Sequence, residues 1–460
     1  MAGNYKARIL VPLGDKKADS FVDGRISERE AYDYKGTDDE LVNMALAWIA
    51  ESKPLHDEIK GIQDQNESYY LGDQLKEESL HEYQAKIVLN KVFQNMETLI
   101  PVIGGNLPAP VVTLPEMEDE AQEIDAREYS MNLEEMLLAL AEENSLNFKL
   151  KEFARYHQLY LLGALKFGVE ETEDGDKRIW IEVLRPQRLL LPPNNSGEYV
   201  IEYRQATVKA LTEEFPAAKG KIMKALDERK LGGGVTLNTL IGYYEVTTIE
   251  FKFWFVGKTL LHKEQNPHYN FENKKKNHWK CPKMDYVFSD LWTLGLSPYA
   301  KTSLVTQTLQ LQNGINKRKR QISDNADHSQ GTLVGYGGSG VKKEELAEIE
   351  RARKKPSGAV FTEAQLGGIM NLNGQQLQPF VFEDMQHTIA EMDNIWGTHS
   401  NLRGERTPGE ETFGGRKLLK EGDETRIGEL SQMLERAAES IYGALAQLIR
   451  VHFDKGQYIS

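Results

Sequence analysis

The sequence predicts an α+β chain in which long helices flank a β-rich body, and three observations predict it. Ile427, Leu430, Leu434, Ala437, Ile441, Leu445 and Leu448 recur at steps of three and four, which draws one apolar stripe down a long helix. Residues 160–290 instead carry short β-branched and aromatic runs, broken by turn formers such as Glu173-Asp174-Gly175-Asp176. Helical stretches at 297–326 and 382–397 bracket a glycine-rich segment with short strands and one highly charged helix.

The bulk numbers bound the problem. A chain of 460 residues is long enough for two to four domains, and 40% hydrophobic with 27% charged residues is ordinary folded composition. A single cysteine, Cys281, rules out an intramolecular disulfide framework and suits a reducing compartment. The first residues lack the apolar core of a signal peptide, and runs such as Leu159–Leu165 are far too short to span a bilayer, so the chain is expected to stay in water. A net charge of −14 argues against a tight, non-specific nucleic-acid binder, which needs a basic footprint. It is compatible with a conduit that lets DNA slide past.

Taken in order, residues 1–37 are polar, mixed in charge and aperiodic, and predict an N-terminal arm. Asp38–Lys53 places Leu41, Met44, Ala45, Ala47, Trp48 and Ile49 in an amphipathic helix. A second helix is predicted near His81–Ile100, ending at Pro101, followed by an extended Pro101–Pro115 with four prolines. Glu116–Asn147 is acidic and helical, with Leu133, Met136, Leu137 and Leu140 on one side. From Tyr160 the pattern turns to strands at Leu161–Glu170, Arg178–Leu184 and Tyr199–Arg204. Gly242–Val256 and Lys258–Leu261 predict a further hairpin, with a helix near 207–229 and a break at Gly232-Gly233-Gly234 between.

Ser297-Pro298 has the form of a helix start, serine as cap and proline at the first helical position. The predicted helix runs to about Ala326 and aligns Leu304, Thr308, Leu311, Ile315 and Ile322; Thr306, Gln310, Asn313, Lys317 and Arg320 fall on the opposite face. Residues 327–381 predict a small α/β module, with strands at Thr332–Tyr336, Ala359–Thr362 and Gly368–Leu372 and a charged helix at Lys342–Lys355. The chain returns through a short helix with Met385, Ile389, Met392 and Ile395 on one face. Gly397–Gly415 then holds five glycines, one proline and several charges, and cannot pack a core. Two accounts remain open: a movable segment projecting from a helical wall, or a helical hairpin with a surface loop.

No constellation of residues predicts chemistry. Gly257-Lys258-Thr259 lacks the glycine that a phosphate-binding loop needs five positions earlier, where Lys252 stands, and a hairpin turn is the better account. The Gly337-Gly338-Ser339-Gly340 run lacks a following Lys-Ser/Thr and reads as linker. His262, His268, His278 and Cys281 match no common zinc spacing, and Lys274-Lys275-Lys276 among them would repel a cation. No Gly-x-Ser-x-Gly nucleophile motif occurs. The chain is therefore expected not to be an enzyme and to need no cofactor or metal. Lys317-Arg318-Lys319-Arg320, the densest basic run, reads either as a solvated helix end opposing the helix dipole or as a ring of positive charge that meets phosphates in an oligomer.

At this point the order of features resembles the portal proteins of tailed bacteriophages, the head-to-tail connectors. The likeness rests on Gly295-Leu-Ser-Pro-Tyr299, Thr308-Leu-Gln-Leu-Gln312, Ile315-Asn-Lys-Arg318 and Asp324-Asn325, similar to the helix by which such portals enter their stem. Asn90–Asn106 running into Pro108-Ala-Pro-Val-Val112, Val183-Leu-Arg-Pro186 with Leu191-Pro192, and Gly404–Lys420 leading into the final helix resemble further segments. Together they cover most of 85–453. The resemblance implies a portal-like ring subunit: an arm (1–37), a wing with a β-rich body (38–296), two stem helices (297–326 and 382–397) around a clip (327–381), a tunnel loop (398–415) and a long wing helix with minimal crown (416–460).

It implies about twelve copies in a ring at one capsid vertex of the virion, assembled in the host cytoplasm, through which double-stranded DNA passes without sequence specificity. Terminase large subunit, tail adaptors, and major capsid and scaffold proteins are the implied partners, and no membrane. Gln310, Asn313, Lys317 and Arg320 are then the candidates for the DNA channel. Arg403, Gly404, Arg406, Gly409 and Gly414 are the candidates in the tunnel loop, and Lys342, Lys343, Arg351, Arg353 and Lys354 those for docking at the clip. In the loop, Arg403 and Arg406 either touch DNA or pair with Glu405, Glu410 or Glu411 of a neighbouring copy. The few residues after Phe453 leave crown contacts with DNA in doubt. The alternatives are a nucleotide-dependent packaging motor and a protein-only scaffold or adaptor.

Overall fold

The structure, a computed structural model, describes residues 7–10, 37–75, 85–105, 108–113, 120–171, 177–228, 237–270, 277, 284–328, 332–335, 342, 344, 347, 369–372, 377–398 and 413–453. Among these, helix outweighs strand, 57% against 19%, and the class is α+β. The chain forms two compact units. The first is Met1–Glu67, Met96–Gln307 and Gly397–Ser460; the second is Ser68–Asn95 and Thr308–Trp396. The described residues of 68–95, which the resemblance places in the wing (38–296), group with the helical pair.

The first differences from expectation come early. Within the stretch read as an arm, β1 (Ala7–Leu10) is a strand, because its short apolar run finds a partner further on. α1 (Asp38–Leu71) opens on a capping box, the Thr37 amide donating to Glu40 Oε2 and the Glu40 amide to Thr37 Oγ1. It does not stop near Lys53 but continues through Pro54. An internal proline costs about 3 kcal/mol, and burial beyond it outweighs that cost: Ile59 and Gln63 are buried, as is Asn66. Gln63 and Asn66 donate to the carbonyls of Tyr160 and Leu159 at 2.8 and 3.0 Å.

α2 (Lys91–Ile103) starts at Lys91 rather than His81 and keeps Pro101 inside it. β2 (Pro110–Thr113) follows and pairs in parallel with β1. α3 (Glu120–Glu143) ends where Ser145 takes the left-handed conformation at φ 50°, and the chain re-enters as α4 (Leu146–Tyr160). No glycine or proline marks that break; Asn144-Ser145 was the available start signal, and Ser145 is the cap residue although its side chain makes no cap hydrogen bond.

β3 (Ala164–Glu171) and β4 (Lys177–Leu184) form an antiparallel hairpin whose turn lies outside the described residues. β5 (Leu189–Leu190) and β6 (Tyr199–Thr207) begin a second sheet. The helix expected near 207–229 is two, α5 (Val208–Glu214) and α6 (Lys219–Glu228), divided at Pro216. The expected arm 242–256 is likewise two strands, β7 (Leu240–Thr248) and β8 (Phe251–Val256). Thr248 makes the turn, its hydroxyl accepting from the Phe251 amide and donating to the Phe251 carbonyl. β9 (Thr259–Gln265) completes the antiparallel order β5-β6-β7-β8-β9, with Gly257 at φ 61° in the β8–β9 turn. β10 (Tyr286–Phe288) pairs with β3 to give a three-stranded sheet, β10-β3-β4.

α7 (Leu304–His328) begins seven residues beyond the expected cap at Ser297. Ser297 instead closes a turn by accepting from the Tyr299 amide, which buries the Tyr299 ring with its hydroxyl on the Leu189 carbonyl. Ser303 is the effective cap, accepting from the Thr306 amide at 3.2 Å. β11 (Thr332–Gly335) and β12 (Ile369–Leu372) pair antiparallel. α8 (Phe380–Trp396) and α9 (Phe413–His452) close the chain. The expected strand at 359–362 and nearly all of the helix at 342–355 lie outside the described residues. Every member of the predicted α9 stripe from Ile427 to Leu448 is buried.

The five-stranded sheet buries both faces. Leu41, Val42 and Ala45 of α1 cover Tyr199, Ile201, Val246, Phe253 and Phe255 on one side. On the other, α5 and α6 cover Ile241, Tyr243 and Val256, and the three-stranded sheet covers a set of charges. Lys166 of β3 reaches across to Glu202 Oε2 at 2.8 Å and Glu245 Oε1 at 2.6 Å, all three fully buried. Arg204 holds the other oxygens of both carboxylates, and Lys252 of β8 pairs with Asp285 beside β10. Burial alone would lower the Lys166 ammonium, but Tyr286, Glu245, Asp285 and Glu202 outweigh it and hold it well above its ordinary value.

Candidate nucleic-acid interface

In the second unit α7, from Thr308 onward, lies antiparallel to α8. Three contacts fix the direction. Trp396 Nε1 donates to Thr308 Oγ1 at 3.1 Å, the Thr388 methyl stands 3.7 Å from where a Cβ on Gly314 would be, and Arg318 pairs with Asp384 at 2.6 Å. Along the chain the β11–β12 pair comes between the two helices. Of the face predicted for α8, Met392 is buried, while Met385 and Ile389 are half-buried and Ile395 is exposed. The buried face is Val381, Met392, Asp393 and Trp396 instead, one step round the helix.

What fastens α7 is a stripe of polar side chains at Thr308, Gln312 and Asn316, four residues apart and all buried. Gln312 Oε1 accepts from the amides of Lys91 and Val92, and its Nε2 donates to the Leu89 carbonyl at 2.8 Å. The first turn of α2 has no carbonyls of its own to bond those amides, so Gln312 acts as its cap. Asn316 accepts from the Leu89 amide at 3.0 Å and donates to Gln74 Oε1; Asp324 accepts from the Ala85 amide at 2.7 Å. Asp393 of α8 takes the Asn95 amide group at 2.9 Å and Lys91 at 3.3 Å. The sequence reading ranked Thr308 with the apolar stripe and gave Gln312 and Asn316 no role. Their i, i+4, i+8 spacing was the available signal.

The opposite face presents the predicted channel candidates. Gln310, Asn313 and Lys317 are exposed, and Arg320 is half-buried with its Nε on the Asn316 carbonyl at 3.3 Å. Asn313 is also engaged, accepting from the Tyr69 hydroxyl at 2.7 Å. The basic run therefore divides. Arg318 is consumed by Asp384 and Gln321, whereas Lys317 makes no ion pair among the described residues. This face can offer one free ammonium, a partly tethered guanidinium and amide groups to a polyanion, and no reactive centre.

Of the remaining candidates, Arg403, Gly404, Arg406 and Gly409 lie outside the described residues, as do Lys343, Arg351, Arg353 and Lys354. Lys342 is exposed. Gly414, expected in the loop, lies in the first turn of α9, which starts at Phe413. His262 stacks on Trp254 and His268 lies against His452, so these two histidines are not neighbours; His278 and Cys281 lie outside the described residues. Among the described residues no group of three or more metal-ligating side chains converges, and no helix is long and apolar enough to cross a membrane. No protein-family model and no curated protein matches the chain.

Proposed function

We propose that this chain is the portal subunit of a tailed bacteriophage, a ring-forming structural protein of the virion. In this reading about twelve copies surround a channel for genome packaging and ejection, and the ring docks the terminase large subunit and later the tail adaptors. The observation that carries the reading is the antiparallel α7–α8 pair bracketing β11–β12, with a polar and basic face left open along α7. The residues that carried the family likeness at 308–318 and 324 include the ones that build this unit, Thr308, Gln312, Asn316 and Asp324. Charge fits the use as well. Twelve copies of a −14 chain carry −168, a field that keeps DNA from sticking, while Lys317 and Arg320 offset it locally along the bore.

Two experiments test the reading. Native mass measurement of the purified chain is expected to give a ring near 630 kDa, twelve times 52.3 kDa. A 52.3 kDa monomer that hydrolyses ATP would support a packaging motor, and a small oligomer that binds only proteins would support an adaptor. In the second, Lys317→Ala with Arg320→Ala should leave ring assembly intact and lower DNA retention in filled particles several-fold, because phosphate contacts are lost. Unchanged retention would remove these two side chains from the channel.

A further inference from the structure

The C-terminal end of α9 meets the β-rich body of the same unit through two imidazoles. His268, three residues past β9, and His452, the last residue of α9, face each other with Nδ1 and Nε2 3.2 Å apart and rings edge to face. At that separation one nitrogen donates its hydrogen and the other accepts; a first added proton leaves an imidazolium that still donates to its neutral partner, and a second leaves two donors facing each other. Around it Gln447 donates to the His268 carbonyl at 3.0 Å, and Lys177 of β4 donates to the His452 carbonyl at 3.1 Å. His452 also bonds the Pro267 carbonyl, and the Phe167 ring of β3 packs beside His268.

Among the described residues, the charges acting on the pair are all cationic. Lys252 of β8 and Lys166 of β3 act on His268, and Lys177 acts on His452. The carboxylates of that region, Glu202, Glu245 and Asp285, are already held by Lys166 and Lys252. The helix dipole favours a cation at His452 by only about 0.3–1 kcal/mol. Burial, then the lysines, push His268 down to about 2, and burial with Lys177 lowers His452.

We propose that this histidine pair is an acid-released latch, which holds the last turns of α9 on the β-rich body while at least one ring is neutral and frees them when both are protonated. The sign follows from linkage. Both groups are depressed in the closed state and return to about 6.5 when the helix end opens. The latch is therefore at full strength above about pH 6.5 and weakens below it, where the open helix end binds two protons and the closed pair at most one. Opening is then favoured by between about tenfold and a hundredfold per pH unit.

Hydrogen exchange on the purified full chain, from pH 7.5 to 5 and corrected for intrinsic rates, reads this directly. Amides of residues 445–452 should lose protection at least about tenfold per unit below about pH 6. Those of β6 and β7 serve as the reference, since the buried His157, lowered to about 4 by burial, gives global unfolding an acid dependence of its own. His268→Gln with His452→Gln should flatten the slope to that of the reference. A wild-type slope no steeper than the reference, or an unchanged slope in the double variant, overturns the latch. The wild-type slope decides the matter even if the double variant does not fold.

Discussion

Lys166→Ala is expected to destabilise the first unit by roughly 3–5 kcal/mol, read as a lower urea midpoint of tryptophan fluorescence. The reason is what the substitution leaves behind. Glu202 and Glu245 are 1% and 3% exposed, and without the ammonium Arg204 is left as the one cation holding both carboxylates among the described residues, helped only by a 3.5 Å hydrogen bond from the Tyr286 hydroxyl to Glu202. If the loss comes from the stranded charge, removing one carboxylate together with the cation should restore much of it. Lys166→Met with Glu245→Gln keeps the Arg204–Glu202 pair at 2.9 Å and should recover more than half the stability. Losses that simply add would show that the charges do not act as a unit.

The second large effect belongs to Gln312. Gln312→Met keeps the volume and removes every hydrogen bond of the side chain, orphaning the Val92 amide and leaving the Lys91 amide and the Leu89 carbonyl only their 2.9 Å bond to each other. A buried orphan costs about 1–3 kcal/mol, so the second unit should lose about that much. Its first symptom should be loss of hydrogen-exchange protection at 89–92, together with faster proteolysis of 85–90. A loss below about 1 kcal/mol would mean that water replaces the side chain and that α2 needs no cap from α7.

The two residues also mark where the sequence was legible. The α9 stripe could be read because seven apolar positions repeat over many turns, and tertiary packing uses the same face throughout. The strands of the body could be read from alternation, but their second face could not. Lys166, Glu202, Glu245 and Lys252 occupy polar positions in that alternation, which ordinarily means water; here another sheet covers them and neutralises them pair by pair. The long reach of α1 past Pro54 was hidden for a similar reason, since local propensity forbids what burial of Ile59, Gln63 and Asn66 permits. At the candidate interface Lys317 is exposed as periodicity predicts. That Arg318 would be spent on Asp384, 66 residues away, has no local signature.

The cluster at Lys166 has a consequence for behaviour in salt. Its three cations, Lys166, Arg204 and Lys252, match three anions, Glu202, Glu245 and Asp285, so the surplus of fourteen negative charges lies wholly elsewhere. Mobile ions screen water-facing charges beyond about 10 Å at 0.1 M and scarcely enter a dry interior. Raising ionic strength therefore relieves mutual repulsion between molecules of this chain while leaving the buried cluster untouched, and brine should favour contact between them without loosening that part of the interior.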